Sequence, residues 1–134
     1  MIIDAPAEFW RWVDALEEKA DKGDVRARDQ LDIVQALLEE LDELETAPSR
    51  DDETATLKWV RQRRRYELWR VSHPYCEGIA IRLIVWFPPD EGTVVVALFA
   101  GDKARMGDVF YNSVASRGDP LIDQWKREVA RGEK

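Results

Sequence analysis

Two nearly unbroken apolar runs constrain this chain more than any other feature. "GIAIRLIVWF" (78–87) and "TVVVALFA" (93–100) are separated by "PPDEG" (88–92), a segment suited only to turning. Two β-rich runs around a short turn signal a hairpin, so the sheet is expected to be largely antiparallel. Runs this apolar leave few positions for water, which makes both strands central and covered on both faces. One charge interrupts the first run. Alternation places Ile79, Ile81, Leu83, Val85 and Phe87 on one face and Ala80, Arg82, Ile84 and Trp86 on the other. The first set is a pure core face. A guanidinium left alone in a dry core costs about 3–5 kcal/mol. Arg82 therefore either pairs with Glu67 or Glu77 across strands, or points from the second face into a concave surface where an anion meets it.

The rest of the chain supplies the layers around those strands. Asp4 and Pro6 are start signals for a first helix, in which Phe9, Trp12, Val13 and Leu16 form one stripe. "DKGD" (21–24) ends it, with Gly23 suited to the helix C-terminus and Asp24 to the next N-cap. In the second helix Ala27, Leu31, Val34, Leu38 and Leu41 share a face, and Pro48 marks its stop. A polar loop (47–56) precedes strand candidates at 57–60, 66–72, 79–87 and 93–100. Two short helices follow, one capped by Asp108 and one by Asp119 with Pro120 at its first position. The expectation is a single α+β domain over 1–134. A helical hairpin (1–47) packs on a mostly antiparallel sheet of about four strands (57–100), with short C-terminal helices (108–131).

Composition removes several function classes. The one cysteine, Cys76, excludes an intramolecular disulfide and any CxxC site, and the one histidine, His73, excludes a multi-histidine metal centre. No metal or cofactor is expected. The absence of a signal-like segment and of a long apolar run implies a soluble, cytoplasmic protein with no membrane partner. The net charge of −7 conceals a division. Residues 1–57 carry 17 acidic and 6 basic side chains, whereas 58–134 carry 10 and 14, giving −11 and +4. Six of those basic residues lie in "KWVRQRRRYELWR" (58–70), where a charged strand edge that resists aggregation is the plain alternative to a binding surface.

After the fourth strand comes "AGDKARMGDVFYNS" (100–113). Pairing of the two long strands brings its basic residues toward Arg82 and the 58–70 cluster. The resulting set, Lys58, Arg61, Arg70, Arg82, Lys103, Arg105 and Tyr111, is rich in cations and suits an RNA backbone. Cations stabilise the added charge of a phosphorane, and a phenol or lysine can move a proton. No metal is required when the RNA 2′-hydroxyl is the nucleophile. Trp10 and Trp86 are the tryptophans least easily assigned to the core, and so candidates for stacking on a base.

The order of these elements, with "YELWRV" (66–71), "IAIRLIVWF" (79–87), "VVVALFAGDKAR" (94–105) and "DVFYNSVASR" (108–117), resembles the RelE/ParE superfamily of bacterial type II toxins, including HigB-like and phage-type members. The resemblance spans roughly residues 8–131. It implies a ribosome-dependent mRNA endoribonuclease with Arg82, Arg105 and Tyr111 as catalytic residues and Glu67 near the position of an acidic general base. Lys58, Arg61, Arg63, Arg70 and Lys103 would bind RNA. The implied partners are mRNA on the ribosome and a cognate antitoxin. Two departures from the family pattern are the acidic helical half and the long insert "SHPYCEG" (72–78). They leave open a protein-targeting toxin, as in gyrase-poisoning relatives, or a catalytically inactive interaction module.

Overall fold

The structure, a computed structural model, describes residues 1–61, 65–72, 78–106 and 108–132, with the side chains of 106, 108, 109, 111, 112 and 115 outside that description. The strands are β1 (Ile2–Asp4), β2 (Leu57–Trp59), β3 (Leu68–Ser72), β4 (Ile81–Trp86) and β5 (Val94–Asp102). The helices are α1 (Ala7–Asp21), α2 (Val25–Asp42), α3 (Lys103–Met106) and α4 (Asp108–Ala130). They form an α+β fold on one five-stranded sheet in the order β1-β5-β4-β3-β2.

The sheet is mixed, with one strand more than expected. β2 to β5 pair antiparallel in sequence, but β1 runs parallel to β5, with Ile3 opposite Val95. Asp4 therefore starts no helix. Its carboxylate accepts from the Ala5 N–H at 2.8 Å and the Trp125 indole N–H at 2.9 Å. Pro6 takes the N-cap place of α1 but offers no side-chain acceptor. The Ala7 N–H instead finds the buried Glu128 carboxylate at 3.1 Å, so α4 caps α1 with an anion where the helix dipole favours one.

The helical hairpin forms for the reasons visible in sequence. Gly23 turns the chain at φ 94°, and Asp24 accepts the Ala27 N–H at 3.0 Å. The buried face of α2 is Ala27, Leu31, Val34, Leu37 and Leu41. Leu37 replaces the expected Leu38, which is only half-buried. α1 and α2 cover the sheet face carrying Trp69, Val71, Ile79, Ile81, Leu83 and Val85.

α4 covers the other face, through Phe110, Val114, Leu121, Ile122 and Trp125 against Leu68, Ile84, Trp86, Val96 and Leu98. It is one 23-residue helix rather than two short ones. "GDP" (118–120) reads as a break in sequence, yet tertiary contacts carry the helix through it. Gly118 lets α4 approach so closely that an added Cβ would lie 2.6 Å from Leu68 Cδ1. The Asp119 carboxylate accepts the Arg65 N–H at 3.1 Å. A bulge in β5 serves the same layer. Ile84 faces Phe99 and Val85 faces Ala97, so Leu98 is the extra residue, and both Leu98 and Phe99 enter the α4-side core.

Candidate nucleic-acid interface

Strand register assembles the cations. Lys58 faces Arg70 across β2–β3, and Arg70 faces Ile84 across β3–β4. Arg82, two residues before Ile84, faces Ser72 and, on its other side, Gly101. Arg70 and Arg82 are thus diagonal neighbours, with Cα atoms about 7–8 Å apart by sheet geometry. All three point to the α4 side. That face is not the open concavity expected from sequence, because α4 lies across Ile84 and Trp86. What remains is a groove of about 360 Å³ at the α4 margin, lined by Lys58, Val60, Arg61, Arg70, Ile84 and Val114. Trp59 borders it too, but its indole packs with the hairpin-side core, stacked by Arg50 at 4.0 Å and Arg61 at 5.3 Å.

The question posed by Arg82 has a partial answer. Among the described residues no carboxylate lies within ion-pair distance of it. Its guanidinium donates to the Ile81 carbonyl at 3.3 Å, and its buried Nε has no hydrogen-bond partner. Pairing with Glu67 does not occur, since Glu67 binds Arg50. Glu77, like Arg63 and His73, lies outside the described residues.

Lys103 and Arg105 join Arg82 at the same end of the sheet. β5 ends one residue past Gly101, and the Lys103 N–H donates to the Ala80 carbonyl at 2.8 Å. The device that fixes this turn is Asp102, 8% exposed. Its Oδ1 accepts the N–H groups of Ala80 (2.9 Å) and Ala104 (3.1 Å). Its Oδ2 accepts Gln30 (3.0 Å) and the Arg26 guanidinium, both from α2. Burial pushes this carboxyl upward, but the Ala80, Gln30 and Ala104 donors and the Arg26 charge together outweigh it and hold the group below the usual aspartate range. One clue to it is legible in the residues themselves: an aspartate immediately after the glycine that follows an apolar strand.

Two expected members stand apart. Glu67 precedes β3 at its opposite end from Ser72, roughly 17 Å away at the strand rise, so it cannot act on a group held by Arg82. Tyr111 has its backbone in α4, three residues before Val114, and its side chain is outside the description. The two unassigned tryptophans are packing residues. Trp86 is buried between Tyr66 (5.3 Å) and Trp125 (5.9 Å), and Trp10 meets Phe9 edge-on at 5.2 Å.

The outer margin of β2 is closed by its own preceding loop. The Leu57 N–H donates to Thr54 Oγ1 at 3.0 Å and its carbonyl accepts the Thr54 N–H at 2.9 Å. The Trp59 N–H donates to Glu53 at 2.9 Å, and this bond does most to lower the Glu53 carboxyl; burial opposes it, and Arg61 and Lys58 add to the lowering.

No helix among the described residues is long and apolar enough to cross a membrane, and no group of three or more His, Cys, Asp or Glu among them could hold a metal ion. No protein-family model, curated protein or solved structure matches the chain.

Proposed function

We propose that the chain is a toxin-like, RNA-directed protein. It binds RNA along the groove between α4 and β2–β3 and, as its resemblance to the RelE/ParE superfamily implies, cleaves mRNA on the ribosome as the toxin of a type II toxin–antitoxin pair. The observation that carries this reading is Arg82: a half-buried guanidinium with no carboxylate partner among the described residues, in register with Arg70 and Lys58. A phosphate would give its guanidinium the anionic partner it lacks among the described residues. In the cleavage step the RNA 2′-oxygen attacks the adjacent phosphorus and the 5′-oxygen leaves. The products are a 2′,3′-cyclic phosphate and a 5′-hydroxyl. Arg82, with Arg105 and Lys103, stabilises the phosphorane, and Tyr111 is the proton-transfer group that the resemblance supplies.

The deciding experiment adds the protein to a reconstituted translation reaction and maps mRNA 5′ ends by primer extension, with Arg82→Ala alongside. Codon-registered cleavage by the wild type, abolished by R82A, is the expected outcome. Cleavage unchanged in R82A would refute the role of Arg82 in the reaction; Arg82 lies beside the groove and is not among the described residues that line it. Binding to single-stranded RNA should weaken with salt, with a log–log slope of about −2 to −3 if three or four phosphates are neutralised. A second reading, a RelE-like module that binds without cleaving, is favoured by one fact: no carboxylate or imidazole of the described residues lines the groove. It predicts the same salt dependence with no cleavage by either protein.

A further inference from the structure

We infer that Arg26 and Gln30 of α2, acting through Asp102, are positioning residues that set the spacing of Arg82 and Arg105. The inference rests on the RNA reading above and adds a control element to that site. Oδ1 of Asp102 is the central atom. It accepts the N–H of Ala80, two residues before Arg82, at 2.9 Å and the N–H of Ala104, one residue before Arg105, at 3.1 Å. One oxygen thus ties the chain entering β4, which carries one arginine, to the turn that carries the other. Lys103, between Asp102 and Ala104, is bound to the same place by its N–H on the Ala80 carbonyl.

The turn cannot hold that shape by itself. α3 is four residues long, far too short for a helix that stands alone. Asp102 starts it in the manner of an N-cap, so the direction of α3 follows the direction of the Asp102 carboxylate. That carboxylate could turn about its own side-chain bonds, and its Oδ2 is where the turning is stopped. Oδ2 accepts Arg26 and Gln30, which lie four residues apart and so share one face of α2. Arg26 is unfavourable where it stands. It is the second residue of α2, at the helix end where the dipole disfavours a cation, and its buried Nε has no hydrogen-bond partner among the described residues. What it gains there is Asp102. The hairpin thereby shapes the cationic end of the sheet, although none of its residues lines the groove.

Charge gives the test a sign. Asp102→Asn removes a negative charge beside the cationic turn and leaves Arg26 unneutralised, so attraction at a distance would by itself tighten RNA binding. Loss of positioning weakens it instead. The full chain and its Asp102→Asn, Gln30→Ala, Arg26→Met and Arg26→Lys variants are titrated with a single-stranded oligoadenylate over a range of salt, in parallel with amide hydrogen exchange. Each phosphate contact given up lowers affinity about fivefold at 0.1 M salt and flattens the log–log slope by about 0.7. D102N should lose one or two such contacts. Q30A, which changes no charge, should weaken binding in the same direction, and R26K should recover most of what R26M loses. Exchange should quicken at Lys103 and Ala104 while Ile84 and Val85 in β4 stay protected, which also shows that each variant is folded. An affinity of D102N equal to or above that of wild type would overturn the positioning role and leave RNA binding standing. Unchanged exchange at Ala104 in both D102N and R26M would do the same. A wild type that binds no oligoadenylate at low salt removes the RNA reading, and this role with it.

Discussion

Replacing Asp102 separates two halves of one structural device, because its oxygens do different work. Oδ1 accepts two backbone N–H groups, from Ala80 and Ala104, while Oδ2 accepts Arg26 and Gln30. Asp102→Ala removes both halves. Two part-buried backbone donors lose their acceptor at about 1 kcal/mol each, and Arg26 loses its counter-charge, for a total of about 3 kcal/mol. That figure sits at the low end of the range for broken buried pairs because the Arg26 side chain is 30% exposed. Asp102→Asn keeps a carbonyl oxygen for the two backbone donors but turns an amide toward Arg26 and Gln30, so its loss is about half as large. In urea, with a slope near 2 kcal/mol per molar, D102A should lower the midpoint by about 1.5 M and D102N by about half that.

The pH dependence follows from the direction of the carboxyl's shift. Its folded value lies below the unfolded one, so its stabilisation is present above the ordinary aspartate value of about 3.9 and is lost as pH falls through the folded value. The gap between wild type and D102N should be constant above about pH 5 and narrow below pH 4. A D102A midpoint within about 0.3 M of wild type, or a gap that widens in acid, would refute this account.

Two further substitutions probe α4. Gly118→Ala gains about 1 kcal/mol of helix propensity but drives a methyl into the fully buried Leu68, so a net loss of about 1–2 kcal/mol is expected. In a Leu68→Ala background the loss should vanish, and a double-mutant cycle showing no coupling would count against the close approach. Glu128→Ala should lose about 1–2 kcal/mol by uncapping α1, and Glu128→Gln, which keeps an acceptor, less than half of that. Equal losses for the two would mean the cap is not what Glu128 contributes.

Local patterns in the chain were readable where the physics is local. Strand alternation put Arg82 on the correct face, and the turn at Gly23 with the cap at Asp24 formed as the residues require. The misreadings all involve distant partners. β1 is three residues long and exists only because Val94–Val96 offers a parallel edge, so nothing near Ile2 announces it. Helix periodicity cannot distinguish Leu37 from Leu38, since both lie within one step of the stripe and the sheet beneath chooses. "GDP" is punctuation in an isolated peptide, but Leu68 and Arg65 hold it helical. The cationic set was legible as composition. Its geometry depended on register, which gathered Lys58, Arg70 and Arg82 and left Glu67 at the other end of β3.

The contacts that fasten the beginning of the chain to α4 have a consequence in time. Trp125 holds Asp4 and Glu128 holds Ala7, each across 121 residues, and β1 waits for β5. During synthesis the first helix leaves the ribosome without its cap, beside a strand that has no neighbour. The strand gains its neighbour once Val94–Val96 has emerged, and the helix gains its cap only with residue 128. Such non-local closure slows folding and makes it a late, cooperative event. The hairpin can form early, but the finished molecule exists only after nearly all of this sequence has been translated.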